Sequence, residues 1–124
     1  MKFFLILVTC FFTISCFSKN IEIDVLKKDE INIKNFGFSY CLTKTKEKEL
    51  LSEASLAMGG YFQEGNYEEP AYKNIKTFID KHISKNYGVY KSTGHTAILM
   101  NCLSMYNSPE YNQLITEQNS YWIK

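Results

Sequence analysis

The side chains best suited to nucleophilic or metal chemistry are two cysteines and two histidines: Cys41, Cys102, His82 and His95. A thiol activated by an imidazole is a nucleophile in acyl-transfer enzymes, but Cys102 lies in an apolar segment, where a thiol stays protonated and inert. The two histidines lack the short spacing of a zinc-binding motif, and the chain has no glycine-rich phosphate loop or nucleophile elbow. The sequence therefore predicts a protein that is not an enzyme and that holds no metal or cofactor.

The same two cysteines can instead form a disulfide bond. The chain has four cysteines, and the other two, Cys10 and Cys16, fall in an N-terminal segment with the form of an export signal. An even pair in an exported chain favours a bridge between Cys41 and Cys102. That bridge would close a loop of about 60 residues and stabilise the fold by roughly 4 kcal/mol. The alternative is a pair of buried free thiols, since cysteine packs well in an apolar interior.

The first 18 residues have the pattern of a secretory signal peptide. Lys2 is followed by an apolar run at 3–12 and then by small residues up to Ser18, and the run is shorter than the roughly 20 residues that span a bilayer. Cleavage after Ser18 would leave one helical domain at 19–124. A second interpretation is a lipoprotein signal, in which Cys16 would carry a lipid anchor. The sequence leaves both routes open.

The most apolar stretch beyond this leader is 96–107, where only Asn101 and Ser104 are polar between positions 97 and 106. It is longer than a typical buried strand, and its alanine, leucine and methionine residues favour helix. We expect a helix that is buried nearly all round and that ends before Pro109. The predicted fold is an all-α bundle of about five helices packed around this central helix.

Three other segments repeat apolar residues at three- and four-residue steps, which predicts amphipathic helices. These helices are expected at 50–62, at 71–83 and from Pro109 to the stop at Asn119 and Ser120. A short first helix is expected at 38–42, where the spacing of the apolar residues would direct Cys41 inward, towards the central helix.

The remaining segments are expected to be irregular. Residues 21–25 alternate apolar and charged side chains in the manner of a strand, but no second strand is predicted, so we expect an extended arm. Residues 27–30 read as a solvated charge cluster. The apolar tail at 121–123 is expected either to pack back on the core or to meet a second subunit.

The loop at 84–96 is the segment most suggestive of binding. It has two glycines and no periodicity, and loops of this length are often functional. Its large side chains are candidate anchors for a partner's pocket: Tyr87, Val89, Tyr90, Lys91 and His95. The alternative is a solvent loop whose tyrosines fold back on the helices, and the sequence does not choose between the two.

Charge and aromatic content favour a protein partner over a nucleic acid. The net charge is +1, whereas a nucleic-acid-binding protein would need a basic stripe. Aromatic residues make up 15% of the chain, and several tyrosines fall outside the predicted apolar stripes. Exposed tyrosines are typical of protein interfaces.

Three motifs, together with the cysteine of the first helix, resemble the immunity proteins that protect bacteria from the peptidoglycan amidases of type VI secretion. The motifs are GYFQEG at 60–65, AYKNIKTF at 71–78 and LMNCLSMYNS at 99–108. The resemblance extends over 40–115, which is most of the chain beyond the leader.

This resemblance implies a periplasmic, all-helical protein, commonly a homodimer, that binds a cysteine amidase and blocks its substrate cleft without doing chemistry itself. On that basis we expect the 87–95 loop to enter the cleft, with the exposed face of the 71–83 helix, including Lys73 and Lys76, beside it. The alternative is a periplasmic or outer-membrane-tethered helical lipoprotein with a structural or scaffolding role.

Overall fold

The computed structural model describes residues 2–85 and 88–124, with side chains described for 19–84 and 88–124. Within these ranges the chain is helical, and its β-structure is limited to two isolated bridges. The all-α prediction is thereby confirmed. In chain order the elements are α1 (Lys2–Leu42), α2 (Lys48–Glu64), α3 (Glu69–Lys85), α4 (Ile98–Tyr106), α5 (Pro109–Glu117) and a 3-10 turn (Gln118–Tyr121).

Helix α1 is the element around which the others pack, since it contacts α2, α3, α4 and α5. Its buried face includes Asp29, Ile33, Phe36 and Cys41, a helical stripe that runs well before the short helix predicted at 38–42. The extended arm predicted at 21–25 is wrong, because these residues belong to α1. Their alternation does not reflect a buried sheet face, since the apolar and the charged members are both exposed.

The expectation of a central helix buried nearly all round at 96–107 is also wrong. Helix α4 buries Ile98, Cys102 and Met105, but Leu99 and Met100 are 48% and 59% exposed. The helix lies at the edge of the frame, where only one of its faces meets α1, α3 and α5. The apolar composition of this segment therefore predicted a helix correctly, but it did not predict how much of that helix is buried.

Helices α3 and α5 follow the predicted pattern. Helix α3 directs apolar residues into the core, with Ile75 and Ile79 fully buried. Helix α5 begins with Pro109 in its first turn, and the Ser108 hydroxyl accepts a hydrogen bond from the Tyr111 backbone N–H at 3.2 Å. A serine cap followed by proline satisfies the free donors of the first turn without distorting the helix.

The prediction that the charge cluster at 27–30 is solvated is wrong for Asp29, which is buried. Its carboxylate accepts hydrogen bonds from Trp122 Nε1 at 2.8 Å and from Asn66 Nδ2 at 3.1 Å. The Ile123 backbone N–H also donates to the Asn66 carbonyl at 2.8 Å. The C-terminal tail therefore packs back on the core, which is one of the two alternatives that the sequence allowed.

The predicted signal peptide at 1–18 contributes the start of α1, and its side chains lie outside the described residues. Among the residues with described side chains, no helix has both the length and the apolar character needed to cross a bilayer.

Candidate partner-binding site

Residues 88–97 form a short hairpin, which leads directly into α4. Val89 and Thr96 pair as an antiparallel bridge. The Ala97 N–H donates to the Gly88 carbonyl at 2.9 Å, and the Tyr90 N–H donates to the His95 carbonyl at 2.9 Å. We call this segment the 88–97 hairpin. The predicted binding loop is thus a hydrogen-bonded projection.

The tip of the hairpin depends on Gly94. Its φ of 70° lies in the left-handed region that glycine enters without steric cost. The Gly94 N–H donates to the Tyr90 carbonyl at 2.8 Å, and the His95 N–H donates to Thr93 Oγ1 at 3.3 Å. These bonds are made within the turn, so its shape does not depend on a partner.

The hairpin exposes apolar side chains to solvent. Val89 is 57% exposed and Tyr90 is 39% exposed, and Lys91 and His95 are exposed as well. One part of the Tyr90 side chain faces solvent, and another part lines a cleft beneath the hairpin. Tyr90 is therefore intermediate between the two alternatives, a free anchor and a tyrosine folded back on the helices. Tyr87, the other aromatic candidate from the sequence, lies outside the described residues.

The cleft below Tyr90 has a volume of about 410 Å³ and separates the hairpin from the turn between α1 and α2. Lys44 stands on its far wall and forms an ion pair with Asp80 at 2.8 Å, while its Nζ donates to the Tyr40 hydroxyl at 2.9 Å. Burial alone would lower the pKa of Lys44, but the bonds to Asp80 and Tyr40 outweigh burial and raise it. Lys44 is therefore a cation fixed by its own neighbours.

The predicted Cys41–Cys102 disulfide is present, and it fastens α4 to α1. Both residues are fully buried, and their Cα atoms are 5.7 Å apart. A second tie is the Tyr106 hydroxyl, which donates to Asn35 Oδ1 at 3.0 Å. Because Ala97 immediately precedes α4, these ties also fix the base of the hairpin relative to the helical frame.

The two histidines lie on different elements. His82 stacks on Phe78 within α3, with ring centroids 5.9 Å apart, and His95 lies on the hairpin. Cys41 and Cys102 are joined to each other, so neither supplies the thiol of a thiol–imidazole pair. In the part of the chain that the structure describes, His, Cys, Asp and Glu side chains form no group of three that could hold a metal ion.

Lys73 and Lys76 lie on α3, outside the hairpin. Lys73 is exposed, whereas Lys76 Nζ lies 5.4 Å from the centroid of the Tyr40 ring and 5.7 Å from that of Phe36. Lys76 thus packs against the rings of α1. A role for these two lysines in partner binding stays a prediction.

Sequence reasoning missed three candidate contact residues, because it assigned them to a buried helix. Leu99, Met100 and Leu103 form the outer face of α4 and are 48%, 59% and 42% exposed. The spacing of Ile98, Cys102 and Met105 could have identified the opposite, inward face. The candidate binding surface is therefore larger than the loop predicted from the sequence.

A family model matches residues 31–115, which is more than half of the chain. The matched family is described as Tai4, type VI secretion system (T6SS), amidase immunity protein. The matched region contains both disulfide cysteines, the 88–97 hairpin and all of α4. No curated protein matches the sequence.

Proposed function

Because this chain belongs to the Tai4 family of T6SS amidase immunity proteins, we propose that it binds a cognate peptidoglycan amidase and occludes the active-site cleft of that enzyme. The observation that carries the proposal is the 88–97 hairpin, an internally hydrogen-bonded segment with Val89 exposed on its first strand and Tyr90 exposed at the start of its turn. A segment of this kind suits insertion into a concave site. Binding would protect the cell from amidase delivered by its siblings.

The internal hydrogen bonds of the hairpin favour tight binding. Fixing the backbone of one flexible residue costs about 1–2 kcal/mol, and a segment that is already folded avoids most of that loss on association. The bonds from Gly94 and Tyr90 hold the turn in the free protein. Less of the interaction energy of the exposed side chains is then offset by the entropy cost of ordering the hairpin, so the affinity is higher.

We also propose that the protein acts in the periplasm, after processing of residues 1–18 by one of the two routes above. The Cys41–Cys102 disulfide supports this location, because such bonds persist in oxidising compartments and are rare in the cytosol. Homodimerisation and a flanking contact through Lys73 and Lys76 are further predictions, which follow from the resemblance.

The test replaces the hairpin anchors. Alanine at Tyr87, Tyr90 and His95 together should weaken amidase binding well over tenfold, since interface anchors often contribute about 2 kcal/mol or more each. The dissociation constant is measured by surface plasmon resonance against the cognate amidase, which we expect a neighbouring gene to encode. The double variant of Tyr90 and His95 should account for most of the loss.

The matched control is Leu56→Ala, because Leu56 is 69% exposed on α2. It should bind and protect as the wild type does, and all variants should keep the wild-type melting temperature. A triple variant that still binds and inhibits peptidoglycan cleavage normally would show that the hairpin is not the inhibitory element.

A further inference from the structure

Helix α4 and the residues that lead into it from Ser92 onward contain no carboxylate, lysine or arginine, whereas Lys91 in the hairpin turn is charged and exposed. Between Lys91 and Glu110 the sequence contains no aspartate, glutamate, lysine or arginine, although these residues make up 22% of the chain. This stretch includes the tip of the hairpin and all of α4. The exposed side chains of α4 can therefore be desolvated without burying a charged group of that helix.

The outer face of α4 is the apolar part of this surface. Leu99, Met100 and Leu103 project away from the buried residues of the helix and are about half exposed. The base of the hairpin rests on the same helix, since a Cβ placed on Gly88 would lie 3.7 Å from Asn101 Oδ1. The hairpin and the outer face of α4 are therefore joined at one edge of the fold.

Two other strongly exposed apolar residues, Leu56 and Ile23, lie among charges. On α2, Leu51 and Leu56 are 39% and 69% exposed, and Glu49 and Glu53 share the helical face of Leu56. On α1, the exposed Ile23 lies between Glu22 and Asp24. Interface centres are depleted of charged residues and enriched in aromatic residues and methionine. The outer face of α4 has that composition, because it combines Met100 with Leu99 and Leu103 and contains no charged side chain.

The size of the face argues against a second copy of the chain as its occupant. Three half-exposed side chains present on the order of 200 Å² of apolar surface. A stable dimer interface buries about 800 Å² on each partner. The face is too small to hold a dimer alone, but it is the right size to extend the contact that the adjacent hairpin makes.

We propose that the outer face of α4, formed by Leu99, Met100 and Leu103, is a second contact for the amidase and packs against an uncharged apolar surface beside the cleft. The inference rests on the proposed function, because it assumes that the hairpin enters that cleft. The hairpin provides insertion, and the α4 face fixes the angle at which the two proteins dock.

The first experiment measures methionine oxidation by hydrogen peroxide in the free protein and in the complex. Met100 is 59% exposed and Met105 is fully buried on the same helix, so Met100 should oxidise and Met105 should not in the free protein. In the complex with the amidase, oxidation of Met100 should fall several-fold, while half-buried Met58 on α2 should react as before. Unchanged oxidation of Met100 in the complex would overturn the proposal, and so would protection of Met100 in the free protein, which would indicate a second copy on this face.

The second experiment measures affinity. Met100→Gln with Leu103→Gln should weaken amidase binding about tenfold, which corresponds to about 1.4 kcal/mol, and Leu51→Gln with Leu56→Gln is the matched control on α2. If the α4 variant binds normally while the Tyr90 and His95 variant does not, this inference fails and the proposed function stands. If neither variant weakens binding, both fail. If the α4 variant converts a dimer of this chain into a monomer but keeps the wild-type affinity for the amidase, the face belongs to an interface with a second copy.

Discussion

At the scale of single residues, Gly37 allows α1 to approach α3 and α5 closely. Tyr111 is fully buried, and its hydroxyl donates to the Lys34 carbonyl at 2.9 Å. A Cβ on Gly37 would collide with that hydroxyl and would lie 2.7 Å from Ile75 Cγ2. Gly37 is therefore required by packing between α1, α3 and α5, and Tyr111 fills the space that the missing side chain leaves.

We predict that Gly37→Ala and Gly60→Ala change stability in opposite directions. Overpacking at Gly37 should lower the free energy of unfolding by about 1–3 kcal/mol. A Cβ on Gly60 meets nothing within 4 Å. Alanine there should therefore raise the free energy of unfolding by up to about 1 kcal/mol, because alanine has a higher helix propensity than glycine. Urea denaturation measures both.

Tyr111→Phe provides the second-site control for this prediction. Removing the hydroxyl should recover part of the stability lost by Gly37→Ala, since the collision involves that oxygen. Equal effects of Gly37→Ala in the wild-type and Tyr111→Phe backgrounds would exclude the contact as the cause.

At the scale of elements, α4 is a short helix that packs on the frame through one face. It is nine residues long and buries only one face. The disulfide at Cys102 and the hydrogen bond from Tyr106 to Asn35 compensate for that limited contact. Because the hairpin leads into α4, the position of the proposed inhibitory element depends on these two ties.

We therefore predict a large effect of replacing Cys41 and Cys102 together by alanine. The free energy of unfolding should fall by roughly 4 kcal/mol in the chain-entropy account of the lost bridge. Reductant should destabilise the wild type and leave the double variant unchanged. Wild-type protein whose two thiols are alkylated without reductant, and whose mobility on a non-reducing gel is unchanged by reduction, would contradict the bridge.

At the scale of the whole molecule, three buried tyrosines and the half-exposed Lys44 bind their protons more tightly in the folded state. Burial is the largest cause that raises the pKa of Tyr67, Tyr72 and Tyr111. The pKa of Lys44 is raised as well, because its bonds to Asp80 and Tyr40 outweigh burial. These groups lie on different elements, so they report on the integrity of the entire fold.

The sign of the resulting pH dependence follows from linkage. Above about pH 10 the unfolded chain loses protons that the folded protein keeps, so stability should fall as pH rises, by up to about 1.4 kcal/mol per pH unit for each group. Below that pH the contribution is fully present. Urea titrations between pH 8 and pH 11, read at about one-unit steps, should show this decline, and Tyr111→Phe should make it shallower. A flat profile for the wild type would contradict the burial of these phenols.

The sequence by itself determined the features that depend on local periodicity and residue chemistry. Apolar spacing gave α3, the Ser108–Pro109 pair gave the start of α5, and the cysteine count gave the disulfide. The position of the non-helical segment between α3 and α4 also followed from its glycines and lack of periodicity. These properties depend on residue types and spacings within a short segment, so they can be predicted from the sequence alone.

Only the tertiary structure decided which helix lies at the centre and which faces stay exposed. Ile33 and Phe36 are buried because four other helices meet α1, and Leu99 and Met100 are exposed because no described element covers the outer side of α4. The burial of Asp29 likewise depends on Trp122, which is distant in sequence. Burial is a property of a side chain and its neighbours together, and those neighbours come from elements that local spacing cannot identify.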